Sequence, residues 1–157
     1  MFERNEGHEE WLVTSWNDLG VGAPTLIALA HLCSRAMLKP PVTPAELTPE
    51  AQAILYAARE RGILEVRGNN TAYESPSRLL TVFVELVDGT PIRFRDRDPR
   101  QNVRFLEGFR QLCAGALVIH HLYHEFSLST AGFESARAIE PAGIQHLLDL
   151  GRPCGPE

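Results

Sequence analysis

VTPAELTPEAQAILYAARERGILEV, residues 42–66, is the stretch that sets the architecture. A proline-bounded turn leads into the short segment Thr43–Leu47. Thr48 then offers a side-chain oxygen to the free N–H groups of a helix, and Pro49 suits the first helical position, where a missing N–H costs nothing. Glu50 places a carboxylate in the first turn, on the favourable side of the helix dipole. Ala51 stands where a capping box would need Glu or Gln, and Gln52 comes one place late. Ile54, Ala57 and Ala58 form the inward face. Gly62 ends the helix, as a residue that accepts positive φ should. Ile63–Val66 follows as a strand.

Upstream, Pro24 opens a helix that runs to about Leu38. Leu26, Leu29, Ala30, Cys33 and Met37 recur at three- and four-residue steps, and Ile27 and Leu32 widen the apolar face. Lys39-Pro40-Pro41 ends it. Residues 17–22 read as a loop and the segment before them as a loose arm, with a short helix or extended piece over 9–16. Trp11 and Trp16 are expected to anchor that arm.

Downstream, Gly68-Asn69-Asn70 is a turn and 71–77 an irregular link. Leu79–Val87 and Ile92–Arg97 read as two antiparallel strands. A two-residue turn at Asp88-Gly89 would put Val84 opposite Arg93 and mix the faces. The odd loop Asp88-Gly89-Thr90 keeps Val82, Val84 and Leu86 with Ile92 and Phe94, and sets Glu85 opposite Arg93; consistent faces favour it. Asp98, Pro99 and Gln101 open a third helix with Val103, Leu106, Phe109, Leu112 and Cys113 inside, ending at Gly115. Ala116–Phe126 is β-like. Ser129 or Thr130 caps a helix to about Ile139, Pro141–Leu150 forms a last helix, and 151–157 is a polar tail.

The order of helix, short turn, capped helix, strand and hairpin over residues 24–97 resembles the winged helix-turn-helix superfamily. The resemblance implies that the Thr48–Arg61 helix enters a major groove and that the hairpin serves as a wing. Its exposed side offers Glu50, Gln52, Arg59, Glu60 and Arg61, a mixed-charge face. Gln52 is the type of side chain that reads an adenine edge. Arg93, Arg95 and Arg97 share one strand face with neighbours roughly 6.5–7 Å apart. Arg100 and Arg104 continue the series onto the next helix, a spacing suited to phosphates. The competing reading is a solvated face with Glu85 paired across to Arg93.

His120-His121-Leu122-Tyr123-His124 raises a metal question. On a helix, His120 and His124 would share a face and chelate. On a strand they stand roughly 13 Å apart, and the apolar Ala116–Ile119 lead favours a strand. The zincin pattern needs Glu directly after its first histidine, and His121 is there. A hydrogen-bonded, pH-responsive cluster is the preferred reading. Phosphate-loop, dinucleotide and nucleophile-elbow motifs are missing, and Asp18, Glu46 and Glu74 are unpaired by sequence. Cys33 defaults to the core and cannot face His31 two residues away.

Composition bounds the rest. The 157 residues are 44% hydrophobic and carry a net charge of −5, which opposes indiscriminate binding to nucleic acid or anionic membranes but allows a local basic patch. Fourteen of the 15 basic residues are Arg, the exception being Lys39; Arg grips phosphate and carboxylate in a fork. Cys33, Cys113 and Cys154 lack framework spacing and read as reduced cytoplasmic thiols. The acidic first twenty residues are no signal peptide, and no run is long enough to span a membrane.

The expectation is therefore a single α+β domain. It comprises winged-helix-like helices with a small antiparallel sheet over 24–97, extra C-terminal helices within a helix–strand–helix part over 98–150, an arm over 1–22 and a tail over 151–157. The leading functional reading is a non-enzymatic binding protein. It would be a dimeric regulator contacting duplex DNA through Arg59, Arg61, Arg93, Arg95, Arg97 and Arg100, with no cofactor. The alternatives are a protein-interaction module without nucleic-acid binding, and a metal enzyme built on His120, His121 and His124.

Overall fold

The computed structural model describes residues 24–68 and 80–154, with Val13 and Thr14. The expected arm with its 17–22 loop, most of the 68–70 turn and the 71–77 link therefore fall outside the described residues, apart from Val13 and Thr14. Helix α1 spans Pro24–Ala36 and buries Leu26, Leu29, Ala30, Cys33 and Ala36. It stops one residue short of Met37, which is 71% exposed rather than part of the apolar stripe. A 3-10 turn, Pro44–Glu46, is closed by Glu46, whose Oε2 accepts from both Thr43 N and Thr43 Oγ1 at 2.8 Å.

Helix α2, Pro49–Ala57, begins as expected: Thr48 Oγ1 accepts from Ala51 N at 3.3 Å. The same threonine donates through N and Oγ1 to Gln111 Oε1 at 2.9 and 3.1 Å, tying this helix start to a later helix. Gly62 has φ +67 and lies directly beneath the Phe133 ring, so it supplies both a turn and a close approach.

Strand β1, Ile63–Gly68, follows, then β2, Leu80–Glu85, and β3, Pro91–Phe94. Val84 pairs with Ile92 and Val82 with Phe94, so the apolar faces align as the parity argument required. The loop, however, is Val87-Asp88-Gly89, with Leu86 N donating to Thr90 O at 2.9 Å and Gly89 at φ +82. A three-residue loop with its last residue left-handed is a favoured hairpin connection, and only Gly89 meets that demand without strain. The register is therefore two residues from the expected one. Glu85 faces Pro91, and Phe83 faces Arg93.

Helix α3, Pro99–Ala114, is capped by Asp98 Oδ1, which accepts from Arg100 N at 2.9 Å. Gln101 does not close a capping box; its Nε2 donates across to Glu50 Oε1 of α2 at 3.2 Å. The inner stripe keeps Phe109, Leu112 and Cys113 as expected but is turned at its N-terminal end. Asn102, Phe105, Gly108, Phe109, Leu112 and Cys113 are buried, and Val103 is 55% exposed. Two polar or small residues explain the turn: Asn102 is needed inside for its hydrogen bonds, and Gly108 lets α2 come close.

The histidine segment is a hairpin, where a continuous strand was expected. Strand β4, Val118–Leu122, turns at Tyr123 (φ +51) and His124 into β5, Glu125–Leu128. Helix α4, Thr130–Arg137, is capped by Ser129, whose Oγ accepts from Gly132 N at 3.0 Å and donates to Ala116 O at 2.7 Å. A 3-10 turn, Pro141–Ile144, and the short helix α5, Gln145–Leu148, come next. The expected polar tail then contains a strand, β6, Gly151–Pro153, paired with β3.

The class is α+β, but the sheet is large rather than small. Among the described residues its six strands lie in the order β4-β5-β1-β2-β3-β6, and every neighbouring pair is antiparallel. Registers Leu64↔Phe126, Leu64↔Val84, Val66↔Val82 and Val84↔Ile92 gather the apolar side chains on one face. Helices cover that face, and one apolar cluster runs from Leu26 to Leu147. Phe94 packs on Phe105, and Phe109 meets Phe126 edge-on, both at 4.9 Å between centroids. No helix among the described residues is long and apolar enough to cross a membrane.

Candidate anion-binding site at the sheet edge

Strand alternation that buries Ile92 and Phe94 turns Arg93 to the other face of the sheet. There the registers make one row: Glu65 beside Phe83, Phe83 beside Arg93, and Arg93 beside Arg152. After β3 the chain bends through Arg95-Asp96-Arg97. Arg93, Arg95, Asp96, Arg97 and Arg152 together line a cavity of about 430 Å³.

The bend is held from below by Asn102. Its Oδ1 accepts from Asp96 N at 2.8 Å, and its Nδ2 donates to Asp96 O at 3.0 Å. Asp96 Oδ1 accepts in turn from Arg97 N at 2.7 Å. The one carboxylate lining the cavity thus serves the backbone. None of the four arginines forms an ion pair among the described residues. Like charges opposite each other across a ladder are destabilising, and Arg93 and Arg152 are such a pair. The arrangement suits an oxyanion, because guanidinium groups grip phosphate or carboxylate in a bidentate fork.

Of the arginines singled out from sequence, Arg93, Arg95 and Arg97 come together here. Arg59 and Arg61 do not. Arg59 lies 4.0 Å over the Tyr56 ring, donates to Tyr56 O at 2.9 Å and approaches Glu60 at 3.5 Å. Arg61 binds Glu85 at 2.6 Å, so Glu85 is engaged there and not with Arg93. Arg100 is exposed in the first turn of α3 and does not line the cavity. Gln52 is also committed, donating to Pro44 O at 3.0 Å and Leu47 O at 3.3 Å. Helix α2 itself is enclosed: Ala51, Ala53, Ile54, Leu55 and Ala57 are all buried. Its outward stripe is narrow: Pro49 is exposed, and Gln52 and Tyr56 are half-buried.

The histidines each take a separate partner. His120 Nε2 meets Tyr123 O at 2.8 Å, with its ring 5.0 Å from that of Phe126. His121 Nε2 meets Ser127 Oγ at 2.7 Å, and His124 Nε2 stands 3.7 Å from Glu65 Oε2. The tight turn splays them, and among the described residues no group of three or more His, Cys, Asp or Glu is placed to hold a metal ion. Cys33 and Cys113 are buried and free, one on α1 and one on α3. The Cys113 thiol hydrogen-bonds Cys33 and lowers it below its ordinary range, whereas burial pushes Cys113 well up.

Two members of the site were not legible in sequence. Arg152 sits on a three-residue strand, too short to show alternation. Asn102 did leave a trace: a poor helix former in the second turn of a long helix asks for a reason. Comparison with family models, curated proteins and solved structures found nothing that matches this chain.

Proposed function

We propose that this protein is a non-enzymatic binding protein that grips the phosphate backbone of a nucleic acid, with duplex DNA the first polymer to consider. The observation that carries the reading is the Arg93–Arg152 pair, set directly opposite on adjacent strands with no carboxylate partner among the described residues. Arg95 and Arg97 face the same cavity. In this reading the strand and bend make the contact, and α2 serves as scaffold. Backbone contacts of this kind position a protein without reading sequence. The net charge of −5 then confines binding to one patch.

The test is titration of labelled duplex DNA at two salt concentrations, with wild type and Arg93→Ala/Arg95→Ala. Removing two phosphate contacts should weaken binding at least about 100-fold, taking about 1.5 kcal/mol, the low end, for each charge-assisted hydrogen bond. The dependence of log K on log salt should become shallower by about 1.8, at 0.9 per phosphate contact. Equal affinity and slope for the two proteins would overturn the reading.

A second reading, a protein-interaction module, is favoured by a different surface. Met37 and Leu38 are 71% and 90% exposed, and Met37 borders a cavity of about 280 Å³ with Pro41, Ala116, Val118 and Ile119. Absence of DNA retention at low salt would move the weight to that face.

A further inference from the structure

We propose that Arg93 and Arg152 form a clamp for a single phosphate-type oxyanion, and that filling the clamp latches strand β6 onto the sheet. The proposal rests on the reading above, that this cavity takes phosphate, and adds a coupling between ligand and fold.

Strand β6 is three residues long and lies at the edge of the sheet. It brings little apolar surface: Gly151 is half-buried, and Arg152 and Pro153 are exposed. Cys154 N donates to Pro91 O at 3.1 Å, and Arg95 N to Leu150 O at 3.5 Å. Alternation along an antiparallel ladder then makes Arg93 and Arg152 a hydrogen-bonded pair, their Cα atoms roughly 5.5 Å apart. Both side chains leave the same face of the sheet. Docking β6 therefore forces two guanidinium groups together with few compensating contacts, the signature of a segment that opens locally. An oxyanion between them removes the repulsion and adds charge-assisted hydrogen bonds to both strands at once. Because Arg152 leaves the site when β6 opens, the ligand binds the docked form more tightly, and binding and docking are thermodynamically linked. Gly151 fits this device: a Cβ there would lie 2.9 Å from Ile92 Cδ1, so the strand enters close against β3.

The experiment is amide hydrogen exchange on the full chain, with inorganic phosphate or chloride at equal ionic strength, and separately with the duplex. Phosphate at ten times its Kd should slow exchange of the Arg152 and Cys154 amides about tenfold, since protection rises by 1 + [L]/Kd. Amides of the β1–β2 ladder should not change. Arg152→Glu places a carboxylate opposite Arg93; it should protect β6 without ligand and abolish the phosphate response. Arg152→Gln, a milder change, should abolish the response with the fold kept. If the duplex binds with its salt dependence but phosphate leaves β6 exchange unaltered, the clamp is overturned and the binding reading stands. If phosphate protects β6 but the duplex does not bind, the clamp holds as a small-oxyanion site and the polymer reading fails. Protection of β6 by chloride equal to that by phosphate would also overturn the clamp.

Discussion

Gly108→Val is expected to lower the melting temperature by roughly 6–12 °C. A Cβ built on Gly108 lies 2.7 Å from Ala51 N and 3.1 Å from Ala51 Cα. Those are backbone atoms of α2, so no side chain can rotate away; a whole helix must move. Overpacking costs typically 1–3 kcal/mol and more where relaxation is blocked. Taking about 3 kcal/mol, and 2–4 °C per kcal/mol for a chain of this size, gives the stated shift. The neighbourhood offers little slack. Gln101 Nε2 to Glu50 Oε1 and Thr48 to Gln111 Oε1 pin α2 and α3 together on either side of the contact. Gly108→Ala should fall in between, and Arg104→Val, at an exposed position of the same helix, should change stability by about 0.5 kcal/mol or less. Thermal unfolding followed by circular dichroism reads all three. A shift under about 2 °C for Gly108→Val would mean that the two helices separate freely.

Asn102→Leu carries the second large effect, because it acts on the site without touching an arginine. The Asn102 amide satisfies both backbone groups of Asp96. Its loss leaves a donor and an acceptor unpaired at a half-buried bend, at a cost of about 1–3 kcal/mol for each group that water does not reach. The expected fall in melting temperature is several degrees. In the binding reading the Arg95–Arg97 segment also loses its fixed geometry, and duplex affinity drops with all four arginines present. Asn102→Asp keeps the acceptor for Asp96 N and loses the donor to Asp96 O, so it should be intermediate in both measurements. A folded Asn102→Leu protein with wild-type affinity would show that the bend holds its shape without the amide. That result would remove Asn102 from the site as a positioning residue.

Local features were legible because they rest on short-range chemistry. Thr48 and Asp98 cap their helices through oxygens three and two residues from the N–H groups they accept from. Gly62 takes the positive φ expected of a stop, although the helix itself ends at Ala57 and residues 58–61 form a turn before the glycine. The parity of Val82, Val84, Ile92 and Phe94 followed from the need to keep one face buried, although parity leaves the register free by two residues. That freedom sent Glu85 to Pro91 and left Arg93 without its expected carboxylate.

The stripe of α3 was read correctly at Phe109, Leu112 and Cys113 but not at Val103, for a related reason. Periodicity counts apolar residues, whereas the inward face also had to admit a glycine and an asparagine. The histidine segment hid its turn, because Tyr123 at φ +51 carries none of the usual turn signals. At the site, three of the six arginines assigned from sequence to duplex contact line the cavity. Arg59 is held by its near neighbours Tyr56 and Glu60, whereas Arg61 is held by Glu85, 24 residues away, which no local spacing reveals.

By itself, then, the sequence determined the class of the fold, the starts of its main helices, and which face of β2 and β3 is apolar. Each of these follows from interactions within a few residues or from a two-residue period. Only the tertiary structure decided that β6 joins β3 and that Arg152 thereby stands opposite Arg93. The same holds for the burial of Asn102 beneath the bend and of Ala51, Ile54 and Leu55 on α2. Those outcomes depend on which distant segments meet, and pairing across 59 residues, the separation of Arg93 and Arg152, leaves no periodic trace in the chain.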